Sequence, residues 1–272
     1  MRLCVLYRKI GIASEDEAEI AALEGAGFVY LSTRTQVREG DLVVGRYSCW
    51  PFYKELENDV LYNGAKLLNT SAQHQYIADL GNWVVDLKEL TPETWSDLQS
   101  IPDQGPFILK GGTNSRKGYW RTHCFAENKA DAIAVHGRLS DDSLIGRQSI
   151  YIRKFEKLYT YMYDIQGMPV TKEFRFFVCD KQVVCGGFYW SNWIEEITPP
   201  DISEVPQSFL NEVIERIGDK ARAYALDVAL KEDGTPIVIE LNDLQQSGLS
   251  CNNPNVFYNN LYSILKGAAH GS

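Results

Sequence analysis

The segment Ala223–Asp243, AYALDVALKEDGTPIVIELND, decides the fold, because it predicts a β-hairpin that brings oxygen-bearing side chains together. Apolar residues alternate into and out of the dipeptide Asp233-Gly234, which suits a two-residue type I′ turn. With this turn at the corner, Asp227 falls directly opposite Glu240. Asn242 lies two residues beyond Glu240 and shares its face of the strand.

Two carboxylates that face each other across a hairpin repel unless a cation lies between them, since their Cβ atoms are only about 5 Å apart. A surface hairpin with solvated acids is the alternative. The run PIVIEL, however, is apolar on both faces and predicts a strand inside a covered sheet. Magnesium takes oxygen ligands, commonly one or two carboxylates together with substrate phosphates. We therefore interpret Asp227, Glu240 and Asn242 as ligands of a nucleotide-bound Mg²⁺.

Composition limits the classes of function. The chain has 272 residues, 44% of them hydrophobic, which is enough for one or two globular domains with large cores. A formal net charge of −9 gives no broad basic surface, so binding to nucleic acid or to anionic membranes is disfavoured. No apolar run approaches the roughly 20 residues that span a bilayer.

The six cysteines form no C-x-x-C pair, and the four histidines do not cluster with them, so a zinc site or a redox motif is not predicted. Most of the cysteines lie in apolar contexts, where a reduced thiol packs as a small core residue. Reduced cysteines favour a cytoplasmic location.

Residues 1–100 alternate short strands and helices and predict a small amino-terminal α/β domain. The breaker cluster Ile101–Pro106 marks its boundary with a second domain, residues 101–272. Predicted elements of the first domain are strands at Arg2–Tyr7, Phe28–Leu31, Asp41–Gly45, Gly64–Asn69 and Trp83–Leu87, with a helix at Glu15–Gly25.

The second domain has strands with mainly antiparallel hairpin spacing, interrupted by helices, which indicates α+β architecture. Besides the hairpin, the predicted elements are strands at Phe107–Lys110, Ser149–Leu158, Thr171–Cys179 and Val183–Trp190, and helices at Asn128–Leu139 and Ser208–Tyr224.

Cations are available on three further segments. Lys110 ends the strand PFILK, and the polar loop GGTNSRKGYW that follows carries Lys117, so the two lysines could hold triphosphate charge. The loop lacks the P-loop pattern, and Lys110 could instead be a solvated strand end. Arg153 and Lys154 are adjacent on one strand, so alternation predicts that at most one enters the cleft.

Arg175 emerges from the aromatic strand EFRFFV on the same face as Glu173. A guanidinium in such surroundings needs an anionic partner. A phosphate and an internal pair with Glu173 or Asp227 are equally compatible with the sequence.

These elements together resemble the ATP-grasp superfamily over residues 101–265, and in particular a compact clade common in phages and bacteria. The matching features are Lys110 in FILKGG, the loop Thr113–Trp120, a hinge strand at Ile150–Leu158, and the final D…E-x-N pattern. The resemblance implies an ATP-grasp fold, in which two α+β subdomains, about 101–150 and 151–266, clasp ATP. The section that includes VVGRYSCWPFYKELE resembles the clade's leading domain.

The resemblance also implies a function, that of a carboxylate-amine ligase. Such an enzyme uses ATP with one or two Mg²⁺ ions, or Mn²⁺, to convert a carboxylate to an acyl phosphate, which an amine captures as an amide. Its partners would be a carboxylate-bearing acceptor and an amine donor, each a small molecule, a peptide or a protein terminus. The alternatives are a kinase-like ATP-grasp phosphotransferase and a nucleotide-binding protein without ligase turnover.

By the same resemblance each candidate residue receives a role. Arg175 and Lys117 would be catalytic, stabilising the γ-phosphate or the acyl phosphate. Arg46 and the segment Gln245–Leu249 could contact substrate, although a structural or solvated role is the favoured alternative for each on sequence alone. Nucleotide binding would fall to Lys110, Lys154, Phe155, Glu156 and Glu173, and metal binding to Asp227, Glu240 and Asn242.

Overall fold

The computed structural model describes residues 1–8, 13–245 and 247–270. Its amino-terminal part is a parallel sheet with the strand order β2-β1-β3-β4. Parallel neighbours need crossover connections, and helices supply them here. The elements are β1 (Arg2–Tyr7), α1 (Ala13–Gly25), β2 (Val29–Leu31), β3 (Asp41–Arg46), α2 (Tyr53–Tyr62), β4 (Lys66–Leu67), α3 (Ser71–Ala78) and α4 (Leu80–Trp83).

The strand predicted at Trp83–Leu87 is wrong, because helix α4 occupies the start of this segment and turns follow it. The Asp79 side chain caps the helix by accepting a hydrogen bond from the Gly81 N–H at 2.9 Å. Trp83 is buried in the core. A short apolar run fits a buried helix as well as a strand, and periodicity alone does not separate them.

The second sheet is antiparallel with the order β5-β8-β6-β7. Its elements are β5 (Thr94–Trp95), β6 (Gln104–Gly111), β7 (Phe125–Asn128), α5 (Lys129–Ser140) and β8 (Ile150–Lys154). Helix α5 packs on the sheet and buries Leu139 against Phe107 and Ile152. The predicted domain boundary at 101–106 stays a prediction; strand β5, which precedes it, already pairs with β8.

A hairpin of β9 (Thr160–Tyr163) and β10 (Pro169–Thr171) leads into the third sheet, which is antiparallel with the order β12-β11-β13-β14. One face of this sheet shares a core with the amino-terminal sheet, and the other packs on α6, α3 and α4. Its elements are β11 (Glu173–Cys179), β12 (Gln182–Phe188), α6 (Gln207–Ile217), β13 (Ala223–Leu230), β14 (Pro236–Asp243) and α7 (Pro254–His270).

Helix α6 is shorter than predicted. It ends at Ile217 because Gly218 adopts a positive φ of 56°, and the chain then turns into β13. The antiparallel sheets with packed helices confirm the predicted α+β class. No helix in the described ranges combines the length and apolar composition needed to cross a membrane.

The hairpin of β13 and β14 pairs Asp227 with Glu240, as the sequence predicts, but by a different route. The loop has three residues, Glu232–Gly234, rather than two, and of the predicted turn dipeptide Asp233-Gly234 only Gly234 has a positive φ, at 82°. A type I′ turn needs positive φ at both positions, which Asp233 does not adopt. A β-bulge at Ile239 then shifts the register back by one residue and restores the pairing.

Candidate active site

The second and third sheets meet at an ion pair between Lys110, near the end of β6, and Glu240 on β14. The Lys110 Nζ donates to Glu240 Oε1, and both side chains are largely buried, with 8% and 18% of their surface exposed. Burial alone would raise the pKa of Glu240, but the charges of Lys110 and Lys117 lower it to about 2. Glu240 is therefore held as a carboxylate inside the cleft.

A second ion pair lies beside the first on neighbouring strands. Arg175 on β11 faces Asp227 on β13, and its Nε and Nη2 donate to the two carboxylate oxygens at 2.8 Å each. The Asn242 amide also donates to Asp227 Oδ2 at 2.8 Å. The structure thus contains the internal Arg175–Asp227 pair that the sequence left as an alternative. Phosphate contact by Arg175 stays a prediction.

Glu173 lies on the same face of β11 and is 3% exposed. Its Oε2 accepts a hydrogen bond from Thr171 Oγ1 at 3.3 Å, and its Oε1 has no partner among the described residues. Burial raises the pKa of Glu173 to about 7, although the positive charge of Lys117 opposes the shift. A buried carboxyl oxygen without a partner is costly, so a ligand that donates a hydrogen bond would fit here.

Lys117 reaches the same cluster from the loop after β6. Its ammonium lies 5.1 Å from the ring centre of Tyr189 and 5.8 Å from that of Trp190. Burial would lower the pKa of Lys117, but the neighbouring Tyr189 and the carboxylates, Glu173 foremost, raise it. Lys117 is therefore a permanent cation within the site.

The predicted hinge, Ile150–Leu158, consists of β8 and the residues that follow it, and it borders an apolar cavity. Lys154 and Glu156 form an ion pair at 3.4 Å, and the Phe155 N–H donates to the Pro106 carbonyl at 3.0 Å. The cavity has apolar walls and a charged rim, a combination typical of small-molecule sites. It is lined by Ile108, Phe155, Leu158, Met168, Trp190 and Ile239, with Lys117, Arg153, Lys154, Glu156 and Glu173 among its polar residues.

The prediction that only one of Arg153 and Lys154 enters the cleft is wrong, since both line the cavity. Arg153 is buried, whereas Lys154 ends the strand and is exposed at the cavity's edge. Arg153 donates from Nη1 to the Ile239 carbonyl and from Nη2 to Thr91 Oγ1, at 2.6 Å each. Burial lowers the pKa of Arg153 to about 10. No specific role for Arg153 could be predicted from the sequence, because its contacts come from distant segments.

A second cavity, of about 720 Å³, lies between the ends of β1 and β3 and the segment after β14. Arg46 lines it, but its donors are already engaged: Nε donates to Glu19 at 2.9 Å, and Nη1 donates to the Leu244 and Ser247 carbonyls. Arg46 thus positions this segment. The structure does not leave its guanidinium free for the predicted contact with a substrate carboxylate.

Of the segment predicted to contact substrate, Gln245, Ser247, Gly248 and Leu249 line the second cavity, and Gln246 lies outside the described residues. The Gly248 carbonyl accepts a hydrogen bond from Arg175 Nη1 at 3.0 Å. The second cavity therefore adjoins the charged cluster directly.

The predicted metal ligands provide two carboxylates and one amide. Within the described residues, no group of three or more His, Cys, Asp or Glu side chains is placed to hold a metal ion. An all-protein cage is therefore absent from that part of the chain. The oxygen donors of Asp227, Glu240 and Asn242 fit Mg²⁺ when phosphate oxygens and waters supply the remaining ligands.

Comparison with known proteins identifies a family for this chain. The family described as "ATP-grasp domain, R2K clade family 3" matches residues 98–261. No curated protein matches the chain.

Three solved structures are similar in fold. A RimK domain ATP-grasp protein from Sphaerobacter thermophilus has a TM-score of 0.63 at 17% identity, covering 97% of this chain and 98% of its own. D-cycloserine synthetase DcsG has a TM-score of 0.66 at 12% identity, covering 97% and 100%. D-alanine–D-alanine ligase from Bacillus anthracis, complexed with ATP, has a TM-score of 0.63 at 12% identity, covering 99% and 97%.

Proposed function

The chain belongs to the ATP-grasp superfamily, in its R2K clade, and we propose from this that it is an ATP-dependent ligase joining a carboxylate to an amine. The observation that carries the proposal is a charged cluster between two cavities. Lys110, Lys117 and Arg175 converge there on the carboxylates of Glu173, Asp227 and Glu240. One cavity is apolar and suits a nucleobase, and the other is large enough for an acceptor.

In this proposal the base of ATP lies against the apolar walls next to the hinge residues Lys154, Phe155 and Glu156. Glu173, whose Oε1 has no partner in the part of the chain that the structure describes, accepts a hydrogen bond from a ribose hydroxyl. The triphosphate extends toward Lys110, Lys117 and Arg175, since charge-assisted bonds to phosphate are stronger than neutral ones. These roles rest on the placement of the residues around the cavity.

Asp227, Glu240 and Asn242 would hold Mg²⁺ at the phosphate end. Bound there, Mg²⁺ neutralises negative charge that develops on the phosphates during transfer. The protein residues position the reactants and exclude water. Phosphoryl transfer depends mainly on such positioning and charge stabilisation, so no side-chain nucleophile is needed.

The proposed reaction has two steps. A carboxylate oxygen of the acceptor attacks the γ-phosphorus of ATP, the bond to the β,γ-bridging oxygen breaks, and ADP leaves. An amine then attacks the carbonyl carbon of the acyl phosphate, loses a proton, and releases inorganic phosphate as the amide forms. The second cavity would hold the acceptor, because Gly248 links it through Arg175 to the charged cluster.

Trapping with hydroxylamine tests this function. An acyl phosphate is electrophilic, so we expect hydroxylamine to divert it to a hydroxamate that mass spectrometry detects, with ADP formed in equal amount. Amino acids, short peptides and peptides ending in a free carboxylate are the first acceptors to screen, with ATP and Mg²⁺. Reactions without acceptor are the control.

ADP accompanied by a phosphorylated hydroxyl product, with neither hydroxamate nor amide for any responsive acceptor, would contradict the ligase proposal. That result would instead identify a kinase-like phosphotransferase. Binding of ATP without turnover of any acceptor would favour a nucleotide-binding protein.

A further inference from the structure

The proposed metal ligands are already bound by cations of the chain itself. Both oxygens of Asp227 accept hydrogen bonds from Arg175, and Oδ2 accepts another from Asn242. Asp227 is 1% exposed, so water has almost no access to it. A metal ion that bound these oxygens would therefore compete with the Arg175 guanidinium for them.

Glu240 is engaged in the same way. Lys110 binds its Oε1, and Lys117 adds positive charge from the loop. Lys110 retains only 8% of its side-chain surface exposed, so it has little access to water as an alternative partner. A metal ion that displaced Lys110 from Oε1 of Glu240 would leave the Lys110 ammonium buried without its ion-pair partner.

Breaking a buried ion pair by removing one partner is strongly unfavourable, because it strands the other charge away from water. A divalent ion arriving alone would strand both Lys110 and Arg175. A triphosphate changes this balance, since its oxygens give the two cations new anionic partners. The carboxylates then become free to bind the metal.

We infer that this site excludes free divalent metal and admits it only together with the triphosphate, with Lys110 and Arg175 occupying the metal ligands until the nucleotide arrives. The inference rests on the proposed function, because it assigns Asp227 and Glu240 to metal and the cations to phosphate.

Titration with Mn²⁺ in the absence of nucleotide tests this inference. The concentration of free Mn²⁺ is measured by electron paramagnetic resonance. The variant Lys110→Met removes the charge that blocks Glu240 while keeping an apolar stem of similar length. We expect Lys110→Met to bind Mn²⁺ at least about tenfold more tightly than the unmodified protein, and to bind ATP more weakly. A residue that only contacts phosphate would not produce these opposite changes.

Lys181→Met is the matched control. Lys181 is half-exposed and pairs with the exposed Asp219 at 2.8 Å, away from the site. We expect it to leave the affinity for Mn²⁺ and for ATP unchanged. Lys117→Met provides a second test that does not disturb a strand, and it should also raise the affinity for Mn²⁺.

Mn²⁺ binding to the unmodified protein as tight as that to Lys110→Met and Lys117→Met would overturn the inference. Weaker binding of Mn²⁺ to both variants than to the unmodified protein would also overturn the inference. Calorimetry with ATP and Mn²⁺ on the unmodified protein distinguishes failure of this inference from failure of the proposed function. Absence of ATP binding contradicts the function, whereas ATP binding together with tight binding of Mn²⁺ alone contradicts only the exclusion of free metal.

Discussion

Replacing Glu240 with Gln is expected to lower metal-dependent turnover by more than about 100-fold. Substitution of a residue that only supports a metal ligand already lowers metal affinity or activity by about 10–100-fold. The substitution nearly preserves shape, so the strand should remain, although removing the charged partner of the buried Lys110 should lower stability. It removes the charge that faces both the proposed metal and Lys110. Asp227→Asn should also be severely impaired.

Steady-state formation of ADP across a Mg²⁺ titration, beside thermal melting, measures this effect. Glu232→Gln is the matched control, since it makes the same substitution in the exposed turn of the same hairpin. We expect Glu232→Gln to retain full activity. The metal assignment fails when Glu240→Gln and Asp227→Asn both keep the unmodified rate at every Mg²⁺ concentration.

Replacing Arg175 with Met is expected to destabilise the protein by about 3–5 kcal/mol, as is typical when one partner of a buried ion pair is removed. The cause is Asp227, which is 1% exposed and would lose its ion-pair partner, leaving the hydrogen bond from Asn242. Each kcal/mol lowers the melting temperature by roughly 2–4 °C in chains of about this size. Urea unfolding and thermal melting measure the loss.

The chain offers a matched control in Arg222, which binds both oxygens of Asp180 with the same 2.8 Å distances. That pair is partly exposed, at 36% and 21%, and exposed pairs contribute at most about 1 kcal/mol. Arg222→Met should therefore lower the free energy of unfolding far less than Arg175→Met. Adding Asp227→Asn to Arg175→Met should recover part of the stability, because it removes the stranded charge. Equal losses for Arg175→Met and Arg222→Met would show that burial does not strengthen the first pair.

The sequence predicted the pairing of Asp227 with Glu240 through two errors that cancel. The turn has one more residue than expected, and the bulge at Ile239 removes the resulting shift. The bulge is held from outside the hairpin: Arg153 binds the Ile239 carbonyl, and the Val238 N–H donates to the Leu90 carbonyl at 2.7 Å. Local periodicity contains no signal for contacts of this kind.

The strands around the site were predictable because alternating or continuous apolar runs flanked by turn residues mark them. The contacts of each charged side chain were not predictable from the sequence. Arg175 could have faced phosphate or carboxylate, and only the register between β11 and β13 shows that Asp227 is its neighbour. For Arg46 the sequence favoured a structural or solvated role without naming partners, and the structure shows that Glu19 and two carbonyls from the segment after β14 accept its hydrogen bonds.

A crystal structure with a non-hydrolysable ATP analogue and Mn²⁺ tests the central proposal most directly, because the anomalous signal locates the metal independently of the nucleotide. We expect a Mn²⁺ peak among Asp227, Glu240 and Asn242, with the triphosphate bound by Lys110 and Arg175 and the base beside Lys154–Glu156. Nucleotide bound away from this cavity, or a triphosphate-bound Mn²⁺ peak that touches neither Asp227 nor Glu240, would contradict the proposal.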